Sequence, residues 1–160
     1  MEAADSLSRP SLEPRYSPKR LWLILGALIL IACIARLSIF FGGIRGSDAY
    51  AYAQYAYDIA SGHYNLDAIR WFFGFRYTVL LPKALSYKIF GVGDFSSSLF
   101  PLLFSLLNIL TVFKIGEILF NRGVGLLAAI LVIFYPLNIM SASSAGPDSF
   151  IPFLSSAAIL

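Results

Sequence analysis

Apolar residues run through this chain in long blocks separated by short polar breaks. Residues 21–41 are apolar apart from one charge, Arg36. That length suffices for a helix to cross a bilayer, which takes about 20 residues. A second block, 98–118, carries Lys114 and Glu117 near one end, where a long side chain can reach the membrane surface. A third covers 124–140, and a fourth opens at about 149 and is cut short at 160. A helix that stops at mid-membrane leaves backbone groups without partners. The pattern therefore predicts an all-α, polytopic transmembrane protein, of which these residues are the N-terminal piece and are inactive by themselves.

The pattern changes between the first two blocks, in residues 42–97. The stretch "GSDAYAYAQYAYDIASG" reads as a helix capped by Ser47 or Asp48 and ended by Gly62. At helical spacing, positions 48, 52, 55, 59 and 62 share one face. Tyr52 and Tyr55 then stand beside Asp48, and Tyr50 and Tyr57 lie on another face. The next stretch, "WFFGFRYTVLLPKALSYKIFG", mixes a large apolar surface with Arg76, Lys83 and Lys88. Gly74 and Pro82 break it too much for a span, so it suits an amphipathic element lying in the membrane interface. The 42–97 segment is thus expected to hug the membrane as a large first outer loop. Residues 1–20 carry Pro10, Pro14 and Pro18 among Ser and charged residues and read as a disordered tail.

Composition agrees with the blocks. Of the 160 residues, 58% are hydrophobic and 13% charged, with mean hydropathy +0.75, whereas soluble domains carry about 25% charge. The net charge of +3 comes from scattered Lys and Arg, which gives no nucleic-acid signature. The one cysteine, Cys33, cannot form an internal disulfide. "LIAC" resembles a lipoprotein cleavage site, but the apolar run continues past Cys33 and favours a span. Arg9, Arg15, Lys19 and Arg20 precede the first span and put the N-terminus in the cytoplasm. The expected location is the cell (inner) membrane, or the endoplasmic reticulum membrane in a eukaryote. Residues 42–97 and the "SASSAGPD" before the fourth block then face outward.

The outer segment is where chemistry could take place. Asp48 reads equally as a general base and as a plain helix cap. Arg70, Arg76 and Lys83 read as substrate cations or as lipid-headgroup contacts. Asp148 reads as a site carboxylate or as a cap of the fourth span. Arg36 reads as paired with a neighbour or snorkelling. His63 has no metal-ligand spacing around it and reads as a solvated loop residue. The tyrosines suit an interfacial belt. Asn108 suits a helix–helix contact.

A family resemblance bears on these alternatives. It rests on Arg36 near the end of the first span, then Asp48, Tyr52, Ala56 and Gly62, and on Pro82, Tyr87, Phe90 and Gly91. It continues through Pro101, "LFNRGVGLLAAILVIFYP" and the "GPD" at 146–148. In this order the motifs resemble the N-terminal part of the GT-C glycosyltransferases. They are most similar to family 39 and its relatives, which include protein mannosyltransferases and the aminoarabinose transferases of lipid A. The resemblance implies transfer of a sugar, with inversion, from a polyprenyl- or dolichyl-phosphate donor to a lipid or protein acceptor on the outer or luminal face. It implies Asp48 as the catalytic carboxylate. Tyr52, Tyr55, Arg70, Arg76, Lys83 and Asp148 are then expected at the substrate. No cofactor is certain; a divalent metal stays open, with no ligand assigned. Two features of relatives are absent: an Asp-Glu pair, replaced by Asp48-Ala49, and "KPP", whose nearest remnant is Leu81-Pro82-Lys83. A non-catalytic membrane scaffold or a small transporter subunit is the competing expectation.

Overall fold

The computed structural model describes residues 17–38, 44, 46–65 and 72–160. Among the described residues helices are the only regular elements: α1 (Pro18–Ser38), α2 (Gly46–Ser61), α3 (Tyr77–Phe90), α4 (Asp94–Leu119), α5 (Arg122–Phe134), α6 (Pro136–Ala142) and α7 (Phe150–Ile159). A 3-10 turn, Phe72–Phe75, precedes α3. The all-helical fold expected from the sequence is therefore observed.

Helix α1 begins at Pro18, whose fixed φ and missing N–H suit a first helical position. The last residues expected in the tail are thus helical. Leu21, Leu25 and Ala32 form its buried stripe and pack with Ile109 and Phe113 of α4 and Leu126, Ala129 and Ile133 of α5. Trp22, Leu23, Leu30, Ile31, Ile34 and Leu37 cover its other faces and are exposed. A helix apolar all round, with only one stripe buried by protein, is built for lipid. Both Lys19–Ser38 and Asp94–Leu119 are long and apolar enough to cross a membrane.

Helix α4 organises the fold. Its 26 residues span about 39 Å at 1.5 Å per residue. That exceeds the roughly 30 Å hydrocarbon core and leaves its polar first turn, Asp94 to Ser98, room to stand clear of it. The lower part of α4 belongs to the α1–α5 core. Its N-terminal part meets a second core made by Tyr52, Ala53 and Ala56 of α2, Val79, Leu80, Ala84 and Tyr87 of α3, and Phe150 of α7, with Phe100 and Phe104 packed against it.

The α4–α5 hairpin closes through glycine. A Cβ on Gly125 would stand 2.6 Å from the Phe113 carbonyl oxygen, and one on Gly116 would stand 2.7 Å from the Gly125 Cα. Asn121 caps α5 by accepting from the Val124 amide at 3.0 Å. Gly125→Ala is expected to lower stability by about 2 kcal/mol through overpacking. Gly26→Ala, where nothing lies within 4 Å, is expected to be neutral or better. Thermal unfolding of the two variants in detergent checks the contrast.

The 124–140 block, expected as one span, is two helices bent by 62°. The cause is Pro136. The residue before proline is pushed out of the helical region, and Tyr135 is extended, at φ −69° and ψ 116°. Proline acts differently at Pro82, which lies inside α3 without ending it. Helix α7 is tied to α4 by polar side chains: Ser156 Oγ donates to Asn108 Oδ1 at 2.9 Å and lies 2.8 Å from Thr111 Oγ1. Asn108 thus serves a helix–helix contact. Arg36 is 1% exposed. Its Nε donates to Ser105 Oγ at 2.7 Å and its Nη1 to the Ala32 carbonyl at 3.2 Å, so it pairs with neighbours instead of snorkelling.

Candidate functional site

Helix α2 presents the first of the expected site residues. It starts at Gly46, at φ 81°, which places Asp48 in the first turn, exposed, where the helix dipole favours an anion. Ser47 Oγ donates to Asp48 Oδ1 at 3.2 Å. The helix ends in a Schellman motif: the Gly62 amide donates to the Ile59 carbonyl and the His63 amide to the Asp58 carbonyl, with Gly62 at φ 75°. Between these ends the faces divide as the spacing predicts. Tyr52 is fully buried, and Tyr50 and Tyr57 are exposed.

Tyr52 is the centre of the arrangement. Its hydroxyl accepts from Arg76 Nη1 at 2.6 Å. Arg76 lies between the 3-10 turn and α3, with its guanidinium 4.9 Å from the Phe72 ring centroid and 5.9 Å from that of Phe73. The Phe73 ring in turn meets Tyr52 edge-on at 5.1 Å. Aromatic faces and one phenol therefore fix a half-buried cation, and it has no carboxylate partner among the described residues. Burial pushes the Tyr52 phenol above its ordinary pKa; Arg76 draws it down, and Asp48 and Asp148 both push it up. Two carboxylates, 100 residues apart in sequence, thus act on the same phenol.

Asp148 is carried by the turn between α6 and α7. Ser98 Oγ donates to the Ser143 carbonyl at 2.9 Å, and Lys83 Nζ donates to the Ala145 carbonyl. The Gly146 amide donates to Ser144 Oγ at 3.2 Å. A Cβ on Gly146 would lie 3.3 Å from Asp148 Oδ2, so glycine lets the carboxylate fold over the backbone. Phe150 then seats α7 in the second core, while Asp148 itself stays exposed.

Of the remaining expected residues, Tyr55 packs against the same core as Tyr52, whereas Lys83 is buried. Lys83, read in the sequence as a substrate cation or a lipid-headgroup contact, is 0% exposed, so its amine does not reach the surface. Helix phase is the reason: the buried face of α3 runs Val79, Leu80, Lys83, Ala84, Tyr87, and Lys83 sits in its middle. Burial lowers its pKa to about 7. Tyr55 is half-buried and faces Tyr64 edge-on, with ring centroids 6.4 Å apart. The Tyr64 hydroxyl donates to the Gly74 carbonyl, and its pKa is pushed up to about 12, by burial first and then by Tyr77. His63 is exposed. Arg70 lies outside the described residues. Among the described residues, no three His, Cys, Asp or Glu side chains gather as metal ligands would. The Tyr52–Arg76 pair was not foreseen as a pair, since helical spacing says nothing about a partner on another element.

A family model described as dolichyl-phosphate-mannose-protein mannosyltransferase matches residues 80–160, just over half of the chain. The chain belongs to this family. It is accordingly an integral membrane protein of the GT-C glycosyltransferase type. The matched residues include Lys83 and Asp148; Asp48, Tyr52 and Arg76 precede them. No curated protein and no solved structure matches the chain.

Proposed function

We propose that the protein moves a sugar from a polyprenyl-phosphate donor to an acceptor on the outer or luminal face of its membrane, with inversion, and that Asp48 is the general base. The observation that carries this reading is that Arg76 bonds the Tyr52 hydroxyl while Asp48 and Asp148 both act electrostatically on that phenol. A lipid-linked donor needs such a group at the boundary between hydrocarbon and water.

The reaction asks for a base and a cation. The acceptor oxygen forms a bond to the anomeric carbon, and the bond from that carbon to the phosphate oxygen breaks. The phosphate leaves with the electron pair, and the acceptor proton goes to Asp48. Arg76, with no carboxylate partner among the described residues, meets the charge growing on the phosphate, and Tyr52 holds it in place. Arg70 is the second cation of this reading, and Tyr55 lines the approach of the sugar. Asp148 completes the anionic side of the site and orients the acceptor.

Topology follows from Arg9, Arg15, Lys19 and Arg20, which hold the start of α1 in the cytoplasm. Helices α2 and α3 then rest on the opposite face. Exposed Phe72, Phe75, Leu81, Leu85 and Ile89 give that layer an apolar surface for the interface. The deciding experiment is transfer by an Asp48→Asn variant in membranes supplied with a polyprenyl-phosphate sugar. Undiminished transfer overturns the assignment.

A further inference from the structure

Lys83 is a buried amine with no acid beside it among the described residues: burial is the cause of its lowered pKa. Burying an ammonium group without a counter-charge is costly, and α3 has an exposed face that could have taken a lysine, as Lys88 does. What the amine does instead is join two parts of the site. It donates to the carbonyl of Ala145, three residues before Asp148. Its own helix packs on α2 through Val79, Leu80 and Ala84 against Tyr52, Ala53 and Ala56, and Arg76 immediately precedes that helix. The Asp148 turn is thus tied to the layer that carries Asp48, Tyr52 and Arg76. A second tie, Ser98 to Ser143, holds the turn to α4.

We propose that Lys83 is a positioning residue: by holding the Ala145 carbonyl it fixes Asp148 against the Asp48–Tyr52–Arg76 group, and it does not contact substrate. This rests on the reading of Asp148 as part of the site.

The test is a double-mutant cycle in the protein in native membranes, with a polyprenyl-phosphate sugar as donor and amide hydrogen exchange as a second readout. Lys83→Met keeps the stem and removes the donor. It is expected to lower kcat about tenfold through misplacement of Asp148, to leave KM for the donor within about twofold, and to speed exchange at amides 143–149. In an Asp148→Asn background, Lys83→Met is expected to cost nothing more. Lys83→Gln, which keeps a donor on a shorter arm, is expected to recover part of the rate, and it carries the exchange measurement should the methionine variant fail to fold. The proposal is overturned if the two losses multiply, if KM for the donor rises with kcat kept, or if exchange in the turn is unchanged. Full activity of Asp148→Asn alone would remove Asp148 from the site, and the positioning role with it. Loss of activity in Asp48→Asn would still stand in that case, so the two failures are told apart.

Discussion

Replacing Asp48 by asparagine is expected to cut sugar transfer by about two orders of magnitude or more and to leave the fold intact. Proton transfer by a positioned side chain is worth about 10² to 10⁴ in rate, and an amide of the same shape cannot accept the proton. Stability is expected to change little. Asp48 is exposed, and its one polar side-chain contact among the described residues is with Ser47 at 3.2 Å. The loss of its charge at the start of α2 removes about 0.3–1 kcal/mol of dipole interaction. This separates the two readings of the residue. A plain cap predicts a lower melting temperature with transfer kept, and a base predicts the reverse. Asp48→Glu adds a control, since it restores the carboxylate on a longer arm. Partial transfer is expected there, limited by geometry. The measurement pairs initial transfer rates in membranes with thermal unfolding of the same preparations.

The arrangement around Asp48 also shows what a sequence can and cannot disclose. Helix α2 was legible because everything that defines it is local: an acidic first turn, a helical phase that buries Tyr52 and exposes Tyr50 and Tyr57, and a glycine able to take φ 75° at Gly62. The membrane character was legible because it lies in block lengths. The bend at Tyr135 was written in the sequence as a proline, but Pro82 carries the same residue type and breaks nothing. The difference is tertiary, since α3 has a buried face on both sides of Pro82. The burial of Lys83 was not legible for a related reason. Interfacial helices usually turn their lysines to water, and only the packing of α3 against its neighbours decides which stripe goes inside. Its partner, Ala145, is 62 residues away; that of Tyr52 is 24 away, and that of Arg36 is 69 away. Contacts of that range leave no period in the chain, so the candidate site's cation, phenol and second carboxylate could be named singly but not assembled.

The stability of the protein is expected to rise with pH from about 7 to about 10 and to fall above that, and Lys83 sets the rising arm. Its amine titrates near 7 when folded and near the ordinary 10.4 when unfolded. Between those values the unfolded chain binds a proton that the folded chain does not. Stability therefore increases with pH across the window, and the penalty for burying the amine is fully present below about 7. At about 1.4 kcal/mol per unit the arm is worth up to ~4 kcal/mol. Tyrosines set the falling arm. The phenols of Tyr52, Tyr64 and Tyr87 are all raised, with burial as the first cause of each. Above about 10 the unfolded chain loses phenol protons that the folded chain keeps, and stability drops as pH approaches the folded value of about 12 for Tyr64. Lys83→Met should flatten the arm between 7 and 10 and leave the descent above 10 in place. That shape is independent of how much the methionine gains by burial or loses by leaving the Ala145 carbonyl without its donor, because both offsets are constant with pH. Thermal unfolding of the two proteins in one detergent, at half-unit steps from pH 6 to 11, reads it directly. A rising arm retained in the methionine variant would place the titration on another group.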